Sequence, residues 1–512
     1  MVEAIDTELL NEFKNKIASR LPAVHEVAER YEVINATPLV DLTRLFLECA
    51  RLEYGFSLDT YGIKVYGKLD SMLPGGSVKT RAAAKIVEQG ILSGRLKKGQ
   101  VVFEATSGNF GISLGLLTQL GFKVVVLVSR RIKEGVIRAL EKTGVQMINL
   151  DVDICPAPGV ELSDYGTSSV LFDNLQSQLR TLGFDTAPLK NERQRVETLL
   201  ARQDVINLAK LLAEIYGGYC PEQYDNDINA ATHEVLTGPE LDAQLRNFGE
   251  DPSMFRFVCT FGTGGTSTGL SRYLIKRYGK KLVHVIFPLS NQDVAGIRSK
   301  DKAAGLKFYQ PSVYAGEHEL DFEAAKRLLR FFLSRGVDIG ESSALALWGA
   351  VNLANFGVGN HFVVMLADGA SKYIEELRTE SVPRRLNISL DEALTSKDEI
   401  TSVVWTHPSY VPRQEGLSAI SSVLGVEESK VKVMPPDEVR RIIYSGEFDG
   451  SLLSEEELEK GKVLLVCIGG GNSLRMAEIL SKKGVKAFSL DGGLMSISNS
   501  RGLDPRVLIR PP

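Results

Sequence analysis

Two hydrophobic periods alternate along the chain. GIKVYGKLD (62–70), QVVFEA (100–105) and KVVVLVS (123–129) are short apolar runs, which predict strands covered on both faces. SVKTRAAAKIVEQGIL (77–92), GISLGLLTQLG (111–121) and IKEGVIRALEKTG (132–144) place apolar residues at helical spacing between and after them. FRFVCTFG (255–262), LVHVIFPL (282–289) and HFVVMLAD (361–368) continue the strand series. Strands alternating with helices predict an α/β fold with parallel sheets. Loops at the C-terminal ends of those strands are then the expected ligand positions.

Two stretches break the rhythm. Residues 151 to about 215 are loop-like and then helical, and are expected to be an insertion. SVPRRLNISLDEALTSKDE (381–399), with its proline and mixed charges, reads as a domain boundary. The expected organisation is a catalytic domain over 1–380 and a small α/β domain over 381–512. The latter has its own strand, KVLLVCIGG (462–470), and helix, NSLRMAEILSKKG (472–484).

Charge and composition narrow the classes of function. The 512 residues carry 60 basic and 64 acidic side chains, a net charge of −4, and no long basic block, so nucleic acid is not an expected partner. No apolar run approaches the ~18–20 residues of a membrane span, so no membrane partner is expected either. The start, MVEAIDTELLNEFKNKIASR, is charged and amphipathic, which points to the cytoplasm over a secretory route. Cys49, Cys155, Cys220, Cys259 and Cys467 are far apart and form no CxxC pair, and none of the six histidines is spaced HxxxH. Neither disulfides nor a bound metal are expected.

Four sites carry candidate chemistry. In PGGSVKTRAAA (74–84) a tight turn at Pro74, Gly75 and Gly76 leads to Lys79 in the first turn of a helix. In EATSGNFGISLG (104–115), Thr106, Ser107, Gly108 and Asn109 form a polar turn between strand and helix, suited to a carboxylate or to an ordinary helix cap. In FGTGGTSTGLSRYL (261–274), Gly262, Thr263, Gly264, Gly265 and Thr266 follow a buried strand and precede a helix. Such a loop can wrap its N–H groups around a phosphate. It is not a GxxxxGK[ST] loop, which disfavours a nucleotide triphosphatase. In GVDIGESSALALWGA (336–350), Ser342 and Ser343 open a further helix.

In this order and spacing the four sites resemble the fold-type II enzymes that depend on pyridoxal 5′-phosphate, nearest the cysteine synthase and cystathionine β-synthase family. The resemblance runs from INATPLVDL (34–42) to ADGASKYI (367–374). It includes YCPEQYDNDINAATHEVLTGPE (219–240), similar to the family's Q-[FY]-x-N-x-x-N…H…T-x-x-E stretch. It implies two parallel-sheet subdomains, pyridoxal 5′-phosphate as cofactor, and a homodimer. Carried over by position, Lys79 matches the lysine that forms the Schiff base. Asn109 matches the partner of the cofactor's phenolic oxygen. Thr106, Ser107 and Gln223 match the substrate-carboxylate cradle, Gly262 to Thr266 the phosphate loop, and Ser342 the partner of the pyridine nitrogen. Leu73 stands where the family commonly has asparagine, Thr80 where it has aspartate, and Ala344 where it has glycine.

The implied reaction is β-replacement or β-elimination through aminoacrylate, on a serine- or cysteine-type amino acid, with sulfide or another sulfur nucleophile. A hydroxyl at the pyridine nitrogen, in place of a carboxylate, would not favour its protonation. A serine or threonine dehydratase, a cysteine desulfhydrase and a non-catalytic sensor or assembly protein with the same fold remain alternatives. Residues 462–493 resemble the second half of a rhodanese-like domain, in which Cys467 matches the persulfide carrier and Asn472 stands where arginine is usual.

Overall fold

The computed structural model describes residues 5–27, 30–58, 62–129, 132–150, 165–290, 292–373, 386–406 and 413–435. Beyond these it describes 438, 442, 448, 452–454, 456–457, 461–467 and 471–500. The chain divides into two compact units, Met1–Leu377 and Arg378–Pro512.

The first unit contains two parallel sheets. The larger has the spatial order Gly316–Leu320, Val283–Pro288, Arg256–Thr260, His361–Leu366, Lys64–Leu69 and Leu39–Asp41. Only the edge pair of Leu39–Asp41 with Lys64–Leu69 is antiparallel. The smaller sheet pairs Val101–Ala105, Lys123–Ser129 and Gln146–Leu150, all parallel. Every residue of Val283–Pro288 is buried, because helices cover both faces and leave no polar side to the strand.

One expectation needs correction. The helix expected over 111–121 begins at Asn109 and changes at Gly115 into a 3₁₀ helix, Gly115–Leu120. Thr118 explains the tightening, since its hydroxyl donates to Gly115 O at 2.8 Å and to Thr143 O at 2.9 Å. Gly115 itself lies so close to Thr143 that a Cβ would approach its side chain to 2.5 Å. The stretch expected to be an insertion is described from residue 165 onward. Residues 151–164, with Cys155, lie outside the described residues, but the helices Tyr165–Thr181, Ala187–Asn191, Arg193–Ala201 and Val205–Ile215 follow. Their Phe172, Leu175, Leu179, Leu189, Leu208 and Leu212 pack on Phe103, Val125, Leu127 and Ile148, and so form one apolar face of the smaller sheet's core.

The second unit is a five-stranded parallel sheet with the order Asn387–Ile388, Lys486–Leu490, Lys462–Val466, Ile400–Thr406 and Val431–Met434. Separate apolar clusters build its core, one around Met476 and Leu480, the other around Trp405 and Ile420. Of the stretch read as a boundary, 381–385 lie outside the described residues, whereas Asn387 onward already belongs to this sheet. Ser389 and Glu392 form a reciprocal capping box at the start of helix Leu390–Thr395. No helix among the described residues is long and apolar enough to cross a membrane.

Beneath the larger sheet's edge lies a buried network of four charges. Lys68 Nζ donates to Glu240 Oε1 at 2.5 Å, and Arg81 Nη1 donates to Glu240 Oε2 at 2.5 Å. Arg81 also grips Asp70 through Nε at 3.1 Å and Nη2 at 2.8 Å. All four side chains are at most 1% exposed. Burial pushes the Asp70 carboxyl up, but the Arg81 guanidinium outweighs it and holds the group below the ordinary carboxylate range. Removing one partner would strand a buried charge. Arg81→Met should therefore lose about 3–5 kcal/mol of stability in denaturant unfolding. Breaking the exposed pair Lys16–Glu12 should lose less than about 1 kcal/mol. Equal midpoints for the two variants would refute the network's structural role.

Candidate active site

Lys79 is the first residue of helix Lys79–Leu92. The turn before it needs glycine, since Gly75 and Gly76 have φ of 91° and 68°. Gly76 N donates to Leu73 O at 2.7 Å, and Val78 N donates to Ala367 O at 2.8 Å, docking the turn on the end of strand His361–Leu366. Thr80 closes the turn from the helix side, donating to Pro74 O at 2.6 Å. The Lys79 amine is buried and its pKa falls from 10.5 to about 8, through burial first and then the positive charge of Arg298, while Asp368 pulls the other way.

The polar turn after Val101–Ala105 is held by Gly108 N, which donates to Thr106 Oγ1 at 3.1 Å. Asn109 then starts its helix, and its Nδ2 donates to Asp368 Oδ2 at 2.9 Å. Gln223 is drawn against the same strand end. Its Nε2 donates to Ala105 O at 2.9 Å, and its N–H to Glu104 Oε2 at 3.3 Å. Glu104 is pushed up to about 8 by burial, against the backbone N–H groups that hydrogen-bond to it. Glu222, just before Gln223, has φ of 58°, a left-handed conformation rarely adopted outside glycine.

The glycine loop at 262–266 opens helix Gly265–Tyr278, with Gly264 at φ 87°. A Cβ at Gly262 would lie 2.7 Å from Gly296 O and 3.4 Å from Lys79 Nζ. One at Gly265 would fall 2.1 Å from Asn229 Oδ1. Only bare backbone fits, which leaves this loop free to approach a ligand closely. The stretch 219–240 supports the loop from behind. Asn229 Nδ2 donates to Thr263 Oγ1 at 3.0 Å, and Thr266 Oγ1 lies 3.3 Å from His233 Nε2. His233 is pushed down to about 3, chiefly by burial, so it sits there uncharged.

One cavity brings together Lys79, Thr106, Ser107, Asn109, Gln223, Gly262, Gly264, Thr266 and Ser342. Thr263 and Gly265 belong to the loop but do not line it. Ser342, in helix Glu341–Asn355, is not a lone hydroxyl, because its Oγ donates to Asp368 Oδ1 at 3.3 Å. The sequence reading also missed Ala295, Gly296 and Ile297, which line the cavity from a loop without any motif. Cys467 belongs to the second unit, directly after Lys462–Val466. It is buried, and its Sγ accepts from Ser473 Oγ at 3.2 Å. Residues 468–470 and the side chains of Asn472 and Arg475 lie outside the described residues.

A buried amine beside a glycine loop at a helix start, with Thr106, Ser107 and Gln223 lining the same cavity, fits a phosphorylated aldehyde that condenses with an amino acid. In the cofactor-free protein, acetylation of Lys79 followed by mass spectrometry should rise with a midpoint near pH 8, against about 10.4 for an ordinary lysine. Burial disfavours the ammonium, so the neutral, reactive amine dominates above that pH. A midpoint at or above pH 10 would contradict the environment described.

Residues 31–368 match the family model described as pyridoxal-phosphate dependent enzyme. The cysteine synthase of Staphylococcus aureus strain N315 is 26% identical over 357 residues, covering 67% of this chain and 94% of that protein. The probable cysteine synthase of Bacillus subtilis strain 168 is 29% identical over 359 residues, covering 68% and 96%. A crystal structure of O-ureido-L-serine synthase with O-ureido-L-serine bound shares the fold, with a TM-score of 0.51, 23% identity, and coverage of 71% and 95%. The matched family segment ends before the second unit begins. Pyridoxal 5′-phosphate is the cofactor, and the chain belongs to the pyridoxal-phosphate-dependent enzymes.

Proposed function

We propose that the enzyme carries out β-replacement on an amino acid with a leaving group at Cβ, most economically a serine derivative that takes up sulfide to become cysteine. The observation that carries this reading is the convergence of the Lys79 amine with the Thr106, Ser107 and Gln223 groups on one cavity. The likeness to the cysteine synthases of S. aureus and B. subtilis supports the same reaction.

The bound cofactor supplies an aldehyde for imine chemistry and an electron-accepting ring. Thr106, Ser107 and Gln223 receive the substrate carboxylate, which orients the Cα–H bond toward Lys79. Lys79 takes the Cα proton, and a pKa near 8 suits that task at neutral pH. The glycine loop at 262–266 would hold the phosphate, Asn109 would partner the phenolic oxygen and Ser342 the pyridine nitrogen. Product analysis of serine derivatives with and without sulfide tests the assignment. Cysteine should form only with sulfide present. Keto acid and ammonia formed at the same rate in both would establish a dehydratase instead. Lys79→Ala should lose turnover by about 10²–10⁴-fold or more and lose borohydride labelling at this position.

For the second unit we propose a rhodanese-like role in which Cys467 carries sulfur. Its place at the C-terminal end of an inner strand of a parallel sheet is where such folds bind ligands, and the Ser473 hydroxyl donates to its sulfur. The thiolate would attack the outer sulfur of thiosulfate, forming a persulfide and releasing sulfite. An added thiol would reduce this persulfide, releasing sulfide as the thiol is oxidised to a disulfide. Cys467→Ser should therefore abolish the persulfide adduct and any cysteine formation from thiosulfate plus thiol, while free sulfide still supports the Lys79 reaction. A variant unchanged with thiosulfate would assign the unit a structural role.

A further inference from the structure

The stretch ADGASKYI (367–374) closes the family resemblance, yet none of its residues has an assigned role. In the fold it is the place where three of the motifs meet. Lys372 is buried, and its ammonium donates to Asn109 Oδ1 and reaches Gly76 O at 3.4 Å, in the turn that carries Lys79. It also lies 3.3 Å from Asp368 Oδ2. Asp368, equally buried, accepts from Asn109 Nδ2 at 2.9 Å, from the Tyr373 hydroxyl at 2.8 Å and from Ser342 Oγ at 3.3 Å. Its main chain takes part too. Asp368 O accepts from Ser343 Oγ at 3.1 Å and from Gly340 N at 2.8 Å, and the residue bridges to Ser77.

The donor and acceptor inventory decides what this arrangement does. An ammonium only donates and a carboxylate only accepts. With one at each end of its amide, Asn109 can face only one way, Oδ1 toward Lys372 and Nδ2 toward Asp368. The reverse orientation would set amide hydrogens against an ammonium and an oxygen against a carboxylate. Asn109 also hydrogen-bonds the Tyr373 hydroxyl, so the edge of the amide that carries its hydrogens is fixed on the Asp368 and Tyr373 side. Ser342 spends its hydroxyl hydrogen on Asp368, so its lone pairs are what remain for a ligand.

We infer that Asp368 and Lys372 are a positioning pair that sets the hydrogen-bond polarity of Asn109 and Ser342 toward the cofactor. This rests on the cofactor-facing roles proposed above for those two residues. The pair also explains the retention of two charges where apolar side chains would pack. A buried ion pair gains little net stability, but it can dictate a single arrangement of its neighbours. Gly340 keeps the carboxylate in place from the other side, since a Cβ there would come within 2.1 Å of Asp368 Oδ1.

The test uses the holoenzyme and three variants: Lys372→Met, Asp368→Asn and Gly340→Ala, the last displacing the carboxylate without removing its charge. Each is examined by the visible absorbance of the bound cofactor and by ¹⁵N NMR of cofactor labelled at the ring nitrogen. Each should shift the balance of the absorbance bands and move the ring-nitrogen resonance. Each should also lower kcat by roughly tenfold to a hundredfold, the scale of a misoriented catalytic contact, with KM for the amino acid changed less than about twofold. Lys372→Arg, which keeps the charge, should recover most of the spectrum. Should one variant fail to fold, the other two still decide. Wild-type spectra and resonance in the folded variants would overturn the inference. Failure of the reading beneath it looks different: the wild-type protein itself would show no bound-cofactor absorbance and no borohydride labelling at Lys79.

Discussion

The catalytic unit depends on a constraint that lies outside its cavity. Lys68, Arg81, Asp70 and Glu240 form a neutral cluster of four charges shut away from water. Two of them sit on or beside the strand Lys64–Leu69, one on the helix that begins with Lys79, and one on helix Gly238–Asn247. A buried charge without its partner is far more costly than a lost apolar contact. The three elements therefore share one register, and the first turn of the Lys79 helix cannot slide along the sheet edge. Arg81 is two residues from the reactive lysine, so the network fixes the backbone from which that amine projects.

The cavity is assembled on this frame from the C-terminal ends of parallel strands, where loops of different origin converge. Gly75, Gly76, Gly108 and Gly264 supply positive φ there, and Glu222 adopts a left-handed backbone rarely seen outside glycine. Tertiary packing holds them in place. Burial shifts the titrating groups at or behind the cavity in one sense, toward their neutral forms: Lys79 downward, Glu104 upward, His233 downward. A low-dielectric cavity that makes the amine easier to deprotonate is the setting in which a lysine can act both as imine former and as base.

The second unit stands on its own core, with Trp405 and Met476 in separate apolar clusters on a sheet whose five strands are all parallel. Its cysteine is tied into a chain of hydroxyls, Ser473 to Cys467 and Ser473 to Ser489 at 2.9 Å. That contact joins residues from the strand end, the following helix and the neighbouring strand, and the spacing of the residues does not reveal it.

Much of this was legible from residues 62 to 374, because continuous apolar runs mark strands buried on both faces, and glycine-rich turns mark places where a side chain would collide. Lys79, the Thr106–Asn109 turn and the 262–266 loop lie at such turns and Ser342 at a helix start, while their roles were implied by the order and spacing they share with the pyridoxal-phosphate enzymes. The change to a 3₁₀ helix at Gly115 could not be read in this way, since it depends on Thr143, far along the chain. That the helices after 165 supply one face of the smaller sheet's core is likewise shown only by the fold, where their leucines pack on its strands. Asp368 and Lys372 follow a strand and carry no role that their spacing alone reveals. What the sequence determined by itself was the order of elements and the groups able to do chemistry, both set by short-range pattern. The pairing of Asp368 with Lys372 around Asn109, the four buried charges and the lowered Lys79 pKa were decided by tertiary structure alone, because burial and Coulomb energy depend on distances in space and not on separation along the chain.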